Sequence, residues 1–260
     1  MQDRYVGDVG DFAKYALLRR LAGRQDEAPI RIGVVWCLFP NETHNNDGRH
    51  ISYLAKPEFA DLDDPLLEVL QTLVVARKRS VAAVAASGLF PSSTLFCEAA
   101  ASAPRNLRGS RDERLRYRDH WLSTCSVATR ECTLVFFDPD NGLEVRSVPK
   151  HHPNAGKYVY WDELAPFWQR GQTLLVYHHL NRTMPAPRQV SELRARFRLK
   201  LPGALSLPLV FRRGSSRIFW LIYRDTPLGM EMSRRACDFL GGDWSNHFRP
   251  INWPDGVDAA

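Results

Sequence analysis

Three short and strongly apolar runs divide the chain, and polar residues follow each of them directly. The runs are Ile30–Phe39 (IRIGVVWCLF), Cys132–Phe137 (CTLVFF) and Gln172–Tyr177 (QTLLVY). Runs of this length that are rich in β-branched and aromatic residues are typical of strands buried on both faces of a sheet. Longer segments with helical spacing lie between them, and alternation of this kind predicts an α/β fold with a parallel sheet.

Further segments complete the predicted architecture. Thr94–Cys97 predicts another short strand, and Leu207–Phe211 with Arg217–Tyr223 predicts an antiparallel hairpin at the edge of the sheet. Helices are predicted from Asp11 to about Leu21, over Leu66–Ala86 as one helix or two, and over Arg111–Thr129, Trp161–Arg170 and Ser191–Lys200. The predicted fold class is therefore α/β, with a doubly wound, mostly parallel sheet and a C-terminal antiparallel hairpin.

Composition adds limits on the class of protein. No linker rich in Pro, Gly or Ser divides the chain, so residues 1–260 are predicted to form a single domain with a helical insertion at about 55–92. No run of about 18 apolar residues is present, which predicts no membrane span. The five cysteines form no CxxC pair, and together with the absence of a secretory signal this predicts a cytoplasmic protein. The HExxH, Walker A and GxSxG motifs are missing, which excludes the commonest zincin, nucleotide-triphosphatase and hydrolase classes.

Arginine is concentrated in two regions of a chain whose net charge is +6. Residues 105–118 contain Arg105, Arg108, Arg111, Arg114, Arg116 and Arg118, and residues 188–217 contain Arg188, Arg194, Arg196, Arg198, Lys200, Arg212, Arg213 and Arg217. Guanidinium groups bind phosphate bidentately, so the two clusters predict contact with nucleic acid. Solvated helix faces are the alternative interpretation, and only the fold distinguishes the two.

The ends of the predicted strands are the natural place for a site, because ligands of open α/β sheets bind outside the carboxyl ends of the strands. His44 follows the first strand, Glu98 the second, Asp138 the third, and His178 and His179 the fourth. These side chains are expected to surround one pocket. Strand alternation points the two neighbouring histidines in opposite directions, so at most one of them faces it.

The motif FFDPDNG, at residues 136–142, is the most specific of these strand ends. An acid directly after an apolar strand, with a proline that fixes the backbone, presents the Asp138 carboxylate rigidly at the rim of the sheet. A simple turn is the alternative, since Pro, Asp, Asn and Gly all favour turns.

Three segments of the chain resemble a known family of enzymes. Gly7–Tyr15 (GDVGDFAKY) is similar to the Gly-Asn-x-Ala-Asp-x-x-Lys-His segment that opens the large-subunit ribosomal RNA adenine-N6 methyltransferases. Thr43–Arg49 (THNNDGR) resembles that family's Thr-His-Ala-Gly-x-Gly-Arg loop, where the cofactor S-adenosylmethionine sits, and Phe137–Asn141 (FDPDN) resembles its Asp-Pro-Pro-Tyr element. The motifs occur in the family's order, which implies a Rossmann-like methyltransferase fold.

The resemblance also implies roles for single residues. It assigns a catalytic role to Asp138 and Asn141, which would orient the nucleophile; His178, at the end of the fourth strand, is a further catalytic candidate as a base or ligand. It assigns cofactor binding to Lys14, Tyr15, His44, Asp47, Gly48 and Glu98. The implied function is a methyltransferase-like enzyme that uses S-adenosylmethionine and acts on nucleic acid, on a base amino group for example, with the arginine clusters along the phosphates.

Two other functions are compatible with the sequence. Asp138, Asp140 and Glu144 are three oxygen donors within seven residues and predict a Mg²⁺ site in a nuclease or phosphodiesterase. A catalytically silent relative that binds RNA or protein is the second, because Asn45 and Asn46 stand near where the family's cofactor loop has glycines.

Overall fold

A seven-stranded sheet lies at the centre of the protein. The computed structural model describes residues 1–23, 27, 30–104, 110–181, 183–213 and 216–249. The strands are β1 (Ile32–Val35), β2 (Leu95–Cys97), β3 (Leu134–Phe137), β4 (Gly142–Leu143), β5 (Tyr158–Val159), β6 (Thr173–His179), β7 (Leu205–Phe211), β8 (Arg217–Tyr223) and β9 (Phe248–Arg249). Within the sheet their order is β2-β1-β3-β6-β8-β7-β9, while β4 and β5 pair separately.

Strand direction places most carboxyl ends at one edge of the sheet. β1 pairs in parallel with β2 and β3, and β3 pairs in parallel with β6. β8 runs antiparallel to both β6 and β7, so β7 points the same way as the parallel strands. We call the edge where β1, β2, β3, β6 and β7 end the carboxyl edge. The predicted hairpin is confirmed, although its position is not the outer edge, because β9 pairs with β7.

Helices cover both faces of this sheet. They are α1 (Val9–Ala22), α2 (Pro57–Val75), α3 (Val81–Ala86), α4 (Arg111–Ala128), α5 (Trp161–Gln169), α6 (Ala186–Lys200) and α7 (Pro227–Gly241). Successive strand residues point to opposite faces: Phe136 packs in the core beneath α1, α2, α3 and α7, and Phe137 packs in the core beneath α4, α5 and α6. The doubly wound, Rossmann-like α/β fold is therefore confirmed.

The segment predicted as a helical insertion forms the connection between β1 and β2. It contains α2 and α3, and α2 is kinked at Asp63, two residues before Pro65. Leu66 and Leu70 of α2 are fully buried in the same core as α1. The sequence predicted one helix or two over Leu66–Ala86, and the structure has two.

The start of α1 differs from the prediction. Asp8 caps the helix, and its Oδ1 accepts from the backbone N–H of Gly10 at 3.0 Å, whereas Asp11 lies one turn further in and is buried. Both aspartates suit a helix start, so the sequence did not distinguish them. Because Asp8 is the cap, the Asp11 carboxylate can pair with Lys14 instead, as described below.

Strand β6 extends two residues beyond its predicted end at Tyr177. His178 and His179 belong to the strand because they pair with Ile218 and Arg217 of β8. Within the described residues, no helix is long and apolar enough to cross a membrane.

Candidate functional site

A cavity of about 380 Å³ opens at the carboxyl edge, where β3 and β6 end. Its lining comes from the N-terminal segment and α1, the loop 47–50, the loop after β3, the end of β6 and the first residue of β8. Ligand pockets have volumes of about 300–1,000 Å³. The cavity is therefore large enough for a small organic ligand.

A buried ion-pair cluster forms the floor of this cavity. The Lys14 ammonium lies 2.6 Å from Asp11 Oδ1 and 2.7 Å from Asp138 Oδ2, and the Tyr15 hydroxyl donates to Asp11 Oδ2 at 3.1 Å. Burial by itself lowers the pKa of Lys14, but the two carboxylates outweigh burial and raise it above its usual value. Burial raises the pKa of Asp11 to about 6, against the attraction of Lys14. Lys14 therefore stays protonated and fixes the Asp138 side chain.

One oxygen of Asp138 remains for a ligand. Lys14 donates to Oδ2, and among the residues that the structure describes no group donates a hydrogen bond to Oδ1. The side-chain amide of Asn141 also lines the cavity and has no hydrogen-bond partner within the same part of the chain. A carboxylate oxygen and an amide in the lining of one cavity can receive and orient an amino group.

The N-terminal residues fill the crevice between the ends of β1 and β3. The Met1 ammonium donates to the backbone oxygens of Asp138 at 2.8 Å and Cys37 at 3.3 Å, and lies 3.0 Å from Asp140 Oδ1. Gln2 donates to Asp140 Oδ2 at 2.6 Å. Burial alone would raise the pKa of Asp140, but the ammonium, Gln2 and Lys157 together lower it. Because this crevice is filled, the cavity opens one strand further along, between β3 and β6.

Three of the predicted cofactor residues lie outside the cavity. His44 and Glu98 are exposed and absent from its lining; Glu98 follows the edge strand β2, two strands away from β3. The Tyr15 ring is buried between Trp36 and Phe90, at centroid distances of 6.1 and 5.9 Å. The prediction that four strand ends surround one pocket is therefore wrong for β1 and β2.

The other predicted cofactor residues, Lys14, Asp47 and Gly48, do line the cavity. Gly48 has a φ of +82°, and a Cβ there would lie 2.6 Å from the backbone oxygen of Arg4. A glycine is therefore required where the loop crosses the N-terminal segment.

His179, not His178, faces the cavity. The Nδ1 of His178 accepts a hydrogen bond from the backbone N–H of Leu143 at 3.1 Å, and Gly142 has a φ of +114° and lets the backbone pass against the ring. His179 lines the cavity, with its Nδ1 3.3 Å from the Tyr177 hydroxyl. The prediction that only one of the two histidines faces the pocket is confirmed, and the choice of His178 is corrected to His179.

The structural role of His178 predicts a pH effect on stability. Burial and the neighbouring His179 lower the pKa of His178 from 6.5 to about 4. The unfolded chain then binds an extra proton between these values, so the stability from His178 is present above pH 6.5 and lost as the pH falls toward 4. We expect the free energy of unfolding to fall by about 2–3 kcal/mol over this range. This is somewhat less than the full pKa shift implies, because His178 is only partly buried.

Urea unfolding of the wild type and His178→Leu between pH 7 and pH 4 measures this effect. The pH-dependent loss should be smaller in the variant by about that amount, whereas His120→Leu, at an exposed histidine of α4, should keep the wild-type dependence. Equal pH dependence in all three proteins would contradict the role given to His178.

The predicted Mg²⁺ ligands do not form a cluster. Glu144 Oε2 accepts from the backbone N–H of Trp161 at 3.1 Å, while Asp138 is paired with Lys14 and Asp140 with Met1. Over the described ranges, no three side chains of His, Cys, Asp or Glu are arranged to hold a metal ion. The three acids are close in sequence, but this does not bring their side chains together, because Glu144 binds the first residue of α5.

The two arginine clusters are used in different ways. Arg118 is buried in an ion pair with Glu163, and Arg114 donates to the backbone oxygen of His151. Arg105 and Arg108 lie outside the described residues. Arg212 and Arg213 are exposed in the turn between β7 and β8 at the carboxyl edge, and Arg217 enters the cavity.

Several lining residues were not among those predicted to form the site. These are Met1, Tyr5, Asp8, Asp11, His50, Pro139, Tyr177 and Arg217. Asp8 and Asp11 carry a usable signal, because acids three positions apart at a helix start share one face. Arg217 carries none, because its place depends on the pairing of β8 with β6.

Comparisons of the chain with models of protein families, with curated proteins and with solved structures find no match. The interpretation of the site therefore depends on its own residues.

Proposed function

We propose that this protein is an S-adenosylmethionine-dependent methyltransferase that modifies an amino group of a nucleic-acid base. The observation that carries the proposal is the ion pair between Lys14 and Asp138, two residues 124 positions apart. It joins the first of the three segments that resemble the ribosomal RNA methyltransferases to the third. Asp47 and Gly48 of the second segment line the same cavity.

The acceptor groups of the cavity support transfer to an amino group. Asp138 Oδ1 and the Asn141 amide would hold the amino group of the substrate in place. A sulfonium is already an activated leaving group, so positioning supplies most of the rate and little acid–base chemistry is required. His179, next to Tyr177, is the group of the lining best suited to receive the departing proton.

The lining also suits the chemical groups of the cofactor, which supplies the methyl group when bound. Carboxylates of Asp8 and Asp140 favour positive charge, Arg217 favours a carboxylate, and the rings of Tyr5 and Tyr177 offer flat surfaces for an adenine. The arrangement differs from the one that the resemblance implies, since His44 and Glu98 take no part in this lining.

Exposed arginines around the carboxyl edge support nucleic acid as the partner. Arg49 lies in the loop before α2, Arg212 in the β7–β8 turn and Arg188 in the first turn of α6. All three are exposed at the edge on which the cavity opens. Such charges would bind phosphates without reading the base sequence. A cytoplasmic location is part of the same proposal.

Isothermal titration with S-adenosylmethionine and S-adenosylhomocysteine tests the proposal. We expect one molecule of either compound to bind per chain in the micromolar range, and ATP, which has no amino-acid moiety, to bind much more weakly. Tritium from methyl-labelled cofactor should then appear in RNA or DNA. No heat of binding at millimolar cofactor would remove the proposal, and nucleic-acid binding without cofactor binding would indicate a catalytically silent protein.

A further inference from the structure

Two free thiols touch each other in the core beneath α4, α5 and α6. Cys97 is the last residue of β2, and Cys125 lies on α4, 28 positions later in the chain. Their Sγ atoms are 2.7 Å apart. Neither cysteine belongs to the lining of the cavity at the carboxyl edge. The chemistry of this pair is therefore independent of the proposed function.

The side of α4 that carries Cys125 is held against the segment that follows β2. Trp121 Nε1 donates to the backbone oxygen of Ala99 at 3.1 Å, and Arg118 Nη1 donates to that of Ala101 at 3.2 Å. Positions 118, 121 and 125 are three or four residues apart, so they share one side of the helix. On the other side of the contact, β2 is paired with β1. The two sulfurs are thus kept together by anchored elements.

The two thiols differ in exposure and in acidity. Cys97 is 4% exposed, whereas Cys125 is fully buried. A hydrogen bond from the Cys125 thiol lowers the pKa of Cys97 against the effect of burial, with help from the backbone N–H of Ala99. The same hydrogen bond, together with burial, raises the pKa of Cys125. Because the thiolate is the nucleophilic form of cysteine, Cys97 is the sulfur that reacts first.

We propose that Cys97 and Cys125 form an oxidation site, a dithiol that hydrogen peroxide converts into an intramolecular disulfide. The Cys97 thiolate attacks one peroxide oxygen, the O–O bond breaks, and the hydroxide that leaves takes up the proton that Cys97 lost. The product is a sulfenic acid at Cys97 and one water. Cys125 then attacks this sulfur, the S–S bond forms, the S–O bond breaks, and the hydroxide leaves with the Cys125 proton as a second water.

The geometry favours the second step. A disulfide has a sulfur–sulfur distance of about 2.0 Å, so closing the bond requires the two sulfurs to approach by less than about 1 Å. The other cysteines are placed differently: Cys37 Sγ contacts the backbone oxygen of Val35 at 3.7 Å, and Cys237 is exposed. Among the residues that the structure describes, no second pair of sulfurs is in hydrogen-bond contact. The oxidation is therefore specific to one pair.

Mass spectrometry of the full-length protein tests the site. Cys237→Ser removes the exposed thiol, which prevents cross-linking between chains, and leaves Cys37, Cys97, Cys125 and Cys132. After treatment with hydrogen peroxide, unfolding in urea and alkylation, only Cys37 and Cys132 should carry the alkyl group, and peptide mapping should join Cys97 to Cys125. Dithiothreitol should restore alkylation of both. The oxidised protein should also have a Tm several degrees higher, because the bond constrains the unfolded chain.

Single variants in the same background separate the two roles. Cys125→Ala removes the second sulfur, so oxidised Cys97 should remain a sulfenic acid, which dimedone labels. Cys97→Ala removes the nucleophile, so Cys125 should stay an unlabelled thiol. Cys132→Ala, at another buried cysteine, is the matched control and should form the disulfide as its parent does.

Alkylation of both Cys97 and Cys125 after peroxide treatment would overturn the oxidation site. A mixture of disulfides that includes Cys37 or Cys132 would overturn it too, since such pairings arise from unfolded chains. Equal dimedone labelling of Cys97→Ala and Cys125→Ala would contradict Cys97 as the nucleophile. The peptide map of Cys237→Ser requires no substitution in the core, so it decides the proposal even where a core variant fails to fold.

Discussion

Asp138→Asn is expected to lower kcat for methyl transfer by about 10²- to 10³-fold, the range for loss of one preorganised electrostatic contact at a reacting group. The carboxylate has two acceptor oxygens, and Lys14 uses one of them. Asparagine has a single acceptor oxygen. The asparagine side chain therefore turns its NH2 group toward either Lys14 or the substrate amino group. In both orientations two hydrogen-bond donors face each other.

Binding and turnover of Asp138→Asn need to be measured separately. The Kd for S-adenosylhomocysteine should change by less than about threefold, because Asp138 is proposed to contact the amino group of the substrate and not the cofactor. Asp162→Asn, at a carboxylate that is 71% exposed, is the matched control and should keep the wild-type kcat. Near-UV circular dichroism verifies that the buried cluster survives the substitution. A folded Asp138→Asn protein with wild-type kcat would exclude Asp138 as the residue that orients the acceptor.

The central strands could be predicted because burial on both faces leaves a continuous apolar sequence. Residues 134–137 and 173–177 are buried throughout, and both lie within predicted runs. Helix α7 was not predicted, although Thr226 and Pro227 form a recognisable helix start. Its apolar positions are spaced among arginines and acids, so the pattern was weaker than that of the strands.

The candidate site was only partly predictable, for a physical reason. Asp138 and Asn141 follow a buried strand at once, so their position at the carboxyl edge follows from chain direction alone. The errors at His44 and Glu98 have a different origin, since no local pattern shows that Met1 fills the crevice between β1 and β3. The partners of Lys14 and Arg217 likewise depend on contacts between segments far apart in sequence.

The buried pair between Arg118 and Glu163 has the largest expected effect on stability. Arg118 Nε lies 2.7 Å from Glu163 Oε1, and Nη2 lies 2.8 Å from Oε2, so the contact is bidentate and joins α4 to α5. Their side chains are 3% and 0% exposed. The guanidinium also donates to the backbone oxygens of Ala101 and Tyr158, and stacks on Trp121 at 4.0 Å.

Arg118→Met is expected to lower the free energy of unfolding by about 3–5 kcal/mol, because it leaves the Glu163 carboxylate buried without its main partner. Lys150, 3.7 Å from Glu163 Oε1, compensates only part of the charge. Urea unfolding measures the loss. Arg188→Met is the matched control, since its pair with Glu192 is exposed on both sides and its loss should stay below about 1 kcal/mol.

The double variant Arg118→Met/Glu163→Met distinguishes loss of a pair from loss of packing. Removing both charges leaves no buried carboxylate to penalise the folded state, so the double variant should be more stable than the sum of the two single changes predicts. Additive losses would mean that the two residues stabilise the protein independently, through their separate contacts with Trp121 and Tyr160. Coupling of about 1–3 kcal/mol would instead show that Arg118 stabilises the fold through its pair with Glu163, which joins α4 to α5.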